Sequence, residues 1–161
     1  SNRRGLHASM PLVVQQAQPD HLTAIYMLDL DGFKQINDQF GHDVGDELLI
    51  AVAERLRTNV RNSDIIARLG GDEFVVVSSG LNSAWQAHEL GEKLIKSFHA
   101  PFVLPAQSCH IGMTVGYALA PLDGNDAFNL LKLADSAMYR GKNDGKYCVR
   151  RVIGLEQPST T

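Results

Sequence analysis

The segment Arg68-Leu69-Gly70-Gly71-Asp72-Glu73-Phe74 constrains the fold of this chain more than any other. Ile65 to Leu69 reads as one strand and Phe74 to Val77 as the next, joined across Gly70-Gly71. A two-residue glycine link is a hairpin signal, because glycine reaches positive φ without steric cost. The chain is therefore expected to carry a β-hairpin with Asp72 and Glu73 at its tip. Aspartate is a poor strand former, and an ordinary surface turn has no need of two adjacent acids. The pair is a candidate for chemistry.

A third acid lies far away in sequence. Residues 22–30 form a nearly continuous apolar run that fits a strand buried on both faces. Asp29 interrupts it near its C-terminal end. A buried carboxylate is costly unless it is paired or bound to a metal. If this strand neighbours the hairpin, Asp29 and Asp72 converge. Hard oxygen ligands from a few carboxylates suit Mg²⁺, with phosphates and water completing the octahedron. The bland alternative is that Asp29 caps a turn. The following loop, Asp31-Gly32-Phe33-Lys34, offers backbone N–H groups to phosphates, with Lys34 adding a charge. No Walker A string is present.

The remaining pattern alternates strands and helices. Residues 46–58 place Leu48, Leu49, Val52, Ala53 and Leu56 on one helical face, with Asp46 as an N-terminal acid that suits the helix dipole. Residues 83–98 read as a second amphipathic helix, with Ala87, Leu90, Leu94 and Phe98 inward, and Trp85 as a core or helix-packing residue. Pro101 and Pro105 bracket a short edge segment. His110 to Leu119 is a strand, Ala127 to Met138 a third helical stripe, and Tyr147 to Val149 a last strand. The first 17 residues carry a helical pattern weakened by Pro11. The predicted class is α+β: a central mixed sheet in a sandwich with helices packed on it.

Composition bounds the function. The chain has 161 residues, 44% hydrophobic and 20% charged, which suits one domain with a single core. A net charge of −3 argues against a nucleic acid polymer as partner, but not against one nucleotide held through a metal. Cys109 and Cys148 form no metal-ligand pattern, and a reducing, cytoplasmic setting is the simpler reading. No apolar run approaches the length of a membrane span, and no signal peptide is read. The polar start at Ser1-Asn2-Arg3-Arg4 and the polar end at Gln157 to Thr161 suggest a domain cut from something longer.

Five motifs occur in order: Asp29-Leu-Asp-Gly-Phe-Lys34, Ile36-Asn37-Asp38, Gly41-His42…Gly45-Asp46, Arg68…Gly70-Gly-Asp-Glu-Phe74 and Ala134-Asp135…Met138-Tyr139. On these the chain resembles a GGDEF domain, the catalytic domain of diguanylate cyclases. The resemblance runs from Asn2 to about Val149; it implies a domain over residues 1–154 with 155–161 as a polar tail or linker, and the family's Asp-x-Leu-Thr-Gly-Leu motif just before Ser1.

The resemblance implies a nucleotidyl-cyclase, palm-like fold with helices on both faces of the sheet. It implies condensation of two GTP into cyclic di-GMP and two pyrophosphates by a homodimer, with Mg²⁺ as cofactor and Mn²⁺ as a substitute. Asp29, Asp72 and the Leu30 carbonyl would hold the metal. Glu73 would be a second metal ligand or the base for the attacking hydroxyl. Asn37 and Asp46 would read guanine. Gly32, Phe33, Lys34, Gly70, Gly71, Lys142 and Lys146 would border or grip the nucleotide, with Lys146 standing where the family usually has Arg and Tyr147 where it has Asn.

Arg61 and Asp64 match the family's RxxD site for inhibition by the product, with Lys93 where a second arginine often contributes. Attached sensory or EAL domains are expected in a full-length protein, which membrane anchoring would suit. The alternative function is a silent GTP- or cyclic di-GMP-binding module of a larger signalling protein.

Overall fold

The computed structural model describes residues 3–152. The expected tail at 155–161 and the domain end at 154 lie outside the described residues. The elements run α1 (Arg3–Gln15), β1 (Leu22–Asp31), α2 (Phe33–Phe40), α3 (His42–Thr58), β2 (Ile65–Gly70), β3 (Glu73–Leu81), α4 (Ala84–Lys96), β4 (Phe102–Val103), β5 (Ser108–Cys109), β6 (Gly112–Ala120), α5 (Ala127–Asn143) and β7 (Val149–Arg151).

The main sheet has the order β2-β3-β1-β6-β7, and only the β6–β7 pair is parallel. It is the mixed sheet expected, with helices on both faces.

The period of two along a strand explains why β1 is apolar throughout. Ala24, Tyr26, Leu28 and Leu30 pack on the face covered by α3 and α4, with Leu48, Val52, Ala87 and Leu94. Ile25 and Met27 pack on the other face, with Leu6, Met10 and Val14 of α1 and Leu130, Ala134 and Met138 of α5. The same alternation divides β3, with Phe74 and Val76 on the first face and Val75 and Val77 on the second. By this parity Asp29, Asp31 and Glu73 belong to the α5 face. Gly116 of β6 also faces α5: a Cβ there would lie 2.1 Å from Met138 N and 2.3 Å from Ala134 O. The glycine lets the helix rest directly on the sheet and fixes the height of α5.

Several expectations shift. Pro11 does not break α1, because Leu6, Met10 and Val14 bury a full stripe and that packing outweighs one lost backbone bond. Asp46 lies within α3 rather than at its start, since the helix begins at His42 and Asp43 is its first-turn acid. The segment between Pro101 and Pro105 joins no edge of the main sheet; β4 pairs with β5 in a separate ribbon. The strand expected from His110 starts at Gly112, and the last strand starts at Val149, not Tyr147. Trp85 is 68% exposed, so it is not core, whereas Phe98 is buried.

Candidate active site

The hairpin forms one residue later than expected. Gly70 is the last residue of β2 and pairs with Glu73, so the two-residue link is Gly71-Asp72 and not Gly70-Gly71. Gly70 has φ 148° and Gly71 φ 53°, and the register slips between Arg68 and Gly70. This local bulge turns the tip. Asp72 remains at the tip, while Glu73 is already the first residue of β3.

The middle strand brings the acids together. Asp29 and Glu73 are direct cross-strand partners, and Leu30 N–H donates to the Asp72 carbonyl at 3.2 Å. Asp29 does not end its strand; β1 continues to Asp31. Asp29 Oδ1 is buried with no hydrogen-bond donor, and Oδ2 faces Lys142 Nζ at 3.2 Å. Burial first, and then the Asp72 carboxylate, push the Asp29 pKa up to about 6, against the pull of Lys142. Glu73 is also raised, by burial and by the Asp135 and Asp72 carboxylates, with Arg3 and Lys142 opposing.

Two mutually repelling acids and one orphaned buried oxygen are an electrostatic demand for a cation. Asp29, Asp72 and the Leu30 carbonyl are hard oxygen donors and fit a divalent cation. Among the described residues no group of three or more His, Cys, Asp or Glu side chains is arranged to hold a metal. A small protein ligand set suits an ion that keeps water and phosphate oxygens in its shell.

Asp31 is not part of a phosphate loop. It is 2% exposed and accepts from Thr114 Oγ1 at 2.7 Å, Lys142 Nζ at 2.6 Å and Tyr147 N–H at 3.2 Å. Burial works against the Lys142 cation, but Asp31 and Asp29 outweigh it and hold its pKa above the ordinary lysine value. Gly32 is the left-handed N-cap of α2, with φ 93°. Phe33 and Lys34 are therefore the first helical residues, and their free N–H groups face the terminus, an anion-binding arrangement.

Lys146 makes no ion pair with Asp29, Asp72 or Glu73 among the described residues. It is exposed and lines a cavity of about 560 Å³ with Asp31, Gly32, Phe98, His110 and Tyr147, next to the site but not lined by Asp29, Asp72 or Glu73.

Asn37 and Asp46 sit on the paired helices α2 and α3, which meet at Gly41. Asn37 Oδ1 is buried without a donor, an unmet demand that a bound base can satisfy. A Cβ at Gly45 would lie 1.8 Å from that oxygen. Gly45→Ala is therefore expected to push Asn37 aside. On the guanine-reading role that the resemblance implies for Asn37, this variant should raise the KM for GTP about tenfold, the size of one misplaced hydrogen bond, with a smaller change in kcat. Steady-state kinetics on the folded variant checks this.

On the opposite side, Asp64 is buried. Its Oδ2 accepts Arg61 N–H at 2.9 Å and its Oδ1 accepts Arg61 Nη2 at 3.2 Å. The guanidinium also reaches Ser78 Oγ and the Ser79 carbonyl. A cavity of about 530 Å³ lies there, with Lys93 and Glu89 on its α4 wall.

The family model described as "Diguanylate cyclase, GGDEF domain" matches residues 1–148. The chain belongs to the GGDEF domain family. MucR of Pseudomonas aeruginosa, a bifunctional diguanylate cyclase/cyclic di-GMP phosphodiesterase, is 45% identical over 150 residues, which is 91% of this chain and 22% of MucR. The diguanylate cyclase TpbB of the same species is 39% identical over 136 residues, 84% of this chain and 31% of TpbB. The crystal structure of the TpbB (YfiN) GGDEF domain matches with a TM-score of 0.90 at 35% identity, covering 95% of this chain and 96% of that one. The chain thus spans less than a third of either curated relative. Among the described residues of this GGDEF domain, no helix is long and apolar enough to cross a membrane.

Three contributors carry no role in the motif reading: Asp31, which is a buried anchor, and Asp135, which faces Glu73, both inside quoted motifs, and Thr114, which is in none. The i, i+2 spacing from Asp29 on a strand was a signal for Asp31. Thr114 had none, because its pairing with Asp29 depends on a register that sequence does not show.

Proposed function

We propose that this GGDEF domain is a diguanylate cyclase that joins two GTP molecules into cyclic di-GMP and releases two pyrophosphates. The observation that carries the reading is the meeting of Asp29, Asp72 and Glu73 beside a helix N-terminus, with the Asp29 Oδ1 buried and without a hydrogen-bond donor among the described residues. Asp29, Asp72 and the Leu30 carbonyl would hold a divalent cation, Mg²⁺ or Mn²⁺. That ion supplies Lewis-acid polarisation of an α-phosphate oxygen.

The chain's own residues supply the rest. The N–H groups of Phe33 and Lys34 hold phosphate oxygens, and Lys142 and Lys146 neutralise their charge. Gly70 and Gly71 leave room for the nucleotide. Asp46 accepts from guanine N1–H and the 2-amino group together, a donor pair that adenine lacks. Asn37 bonds the same base. Glu73, the cross-strand partner of Asp29, would assist as a second metal ligand or as the base for the attacking 3′-hydroxyl.

One domain holds one GTP, and the product needs two 3′–5′ bonds made head to tail. Two copies must therefore face each other about a two-fold axis, each presenting one nucleotide to the other. Arg61 and Asp64 would form the product-binding site for feedback, with the half-exposed Arg61 forking onto guanine and the buried Asp64 holding its guanidinium in place. Lys93 supplies a charge in place of a fork there, which makes that inhibition weak.

A second reading is a GTP- or cyclic di-GMP-binding module without turnover. It is favoured by relatives such as NbdA of Pseudomonas aeruginosa, named a cyclic di-GMP phosphodiesterase, which is 39% identical over 134 residues. Incubation with GTP and Mg²⁺, with the product resolved chromatographically, separates the two. The cyclase yields cyclic di-GMP that EDTA abolishes and ATP does not replace. A module binds GTP in calorimetry and leaves it intact.

A further inference from the structure

The ammonium of Lys142, in the last turn of α5, is shared by two carboxylates, 2.6 Å from Asp31 Oδ1 and 3.2 Å from Asp29 Oδ2. The two partners differ in kind. Asp31 is saturated: Thr114 Oγ1 and the Tyr147 N–H also donate to it, and Thr114 is itself fully buried. Tyr147 N–H additionally reaches Thr114 Oγ1 at 3.1 Å, which closes a small network. Among the described residues Asp29 has Lys142 on Oδ2 and no hydrogen-bond donor on Oδ1. One contact of the lysine is fixed and the other is provisional. A lysine is a compact charge on a flexible stem with three donors, so it can leave one carboxylate and keep the other.

We infer that Lys142 is a displaceable internal counter-ion for Asp29, which a divalent cation exchanges on entering, while Asp31 retains the freed ammonium at the edge of the site. This rests on reading Asp29 and Asp72 as the metal site. The exchange has a purpose in the proposed reaction. A lysine bound to two carboxylates has little charge left for a phosphate. Cation entry releases half of that pairing and turns the ammonium toward the nucleotide. Metal and triphosphate then assist each other through one side chain, and by linkage the assistance is mutual.

The test uses Mn²⁺ as probe, without nucleotide, with the free ion counted by its electron paramagnetic resonance signal. Lys142→Met removes the competing cation, so Mn²⁺ should bind about tenfold more tightly, within the usual range of site-to-site coupling. Lys142→Gln is measured in parallel in case the methionine variant does not fold. Lys146→Met removes an exposed cation that makes no ion pair among the described residues, and should shift Mn²⁺ affinity less than about twofold because solvent screens it. Asp72→Asn should abolish binding in either background.

Unchanged or weaker Mn²⁺ binding in both Lys142 variants, with Asp72→Asn still abolishing it, overturns the counter-ion and leaves the metal site standing. Equal tightening by Lys146→Met also overturns it, because the effect would then be general charge. Mn²⁺ binding that survives Asp72→Asn, or none in any variant, removes the metal site and the counter-ion together.

Discussion

Asp72→Ala is expected to abolish cyclic di-GMP formation, by at least about a thousandfold, while leaving the metal-free domain as stable as before or more so. The loss follows from deleting half of the paired carboxylates at the point where transition-state charge must be neutralised, and such electrostatic contributions are the largest single ones in catalysis. The stability result follows from the same pair. Asp72 is one of the causes that raise the Asp29 pKa to about 6, so at neutral pH the two ionised groups repel. Without Asp72, Asp29 keeps Lys142 and loses the repulsion. Thermal melts in EDTA should show an unchanged or slightly higher midpoint. A residue of purely structural importance at the hairpin tip would lose activity and stability together.

Gly116→Ala carries the largest expected effect on folding. The added methyl would sit 2.1 Å from Met138 N and 2.3 Å from Ala134 O, both backbone atoms of α5. No side-chain rotation relieves such a contact, so the helix must lift from β6. Overpacking of this kind costs about 3 kcal/mol or more. For a domain of this size that lowers the melting midpoint by roughly 6–12 °C. The lift also reaches the site, because Lys142 is one turn further along the same helix. Activity at a temperature where the variant is still folded should fall as well. Circular dichroism melts and a turnover assay at low temperature check the two parts separately.

The parts of the fold that sequence made legible are those with local rules. The apolar run at 22–30 became β1 because burial on both faces removes the usual alternation. The double glycine marked the hairpin because no other residue takes those backbone angles cheaply. The link itself moved by one residue, since Gly70 still pairs with Glu73 while the chain bulges at Leu69. That choice belongs to the three-strand register and not to the dipeptide.

The site was legible to the same extent. The sequence joins Asp29 and Asp72 on the condition that their strands are neighbours, and β3 does lie beside β1. The Lys142–Asp31 contact spans 111 positions and depends on how α5 lies across the sheet, so residue spacing carried no trace of it. Trp85 was misplaced because its helical position resembles a core position. The face it occupies looks outward, with His88 stacked against it.

The central claim is that the acidic hairpin is half of a catalyst completed by a second copy of the domain. The most direct measurement is the initial rate of cyclic di-GMP formation from GTP and Mg²⁺ over a wide range of protein concentration. The account predicts that the rate per domain rises with concentration while the dimer is scarce, then levels off, and that linking two domains covalently lifts the low-concentration rate. A rate per domain that is constant across the range would contradict the two-copy mechanism. No cyclic di-GMP at any concentration, even from linked domains that bind GTP, would contradict the claim of catalysis altogether.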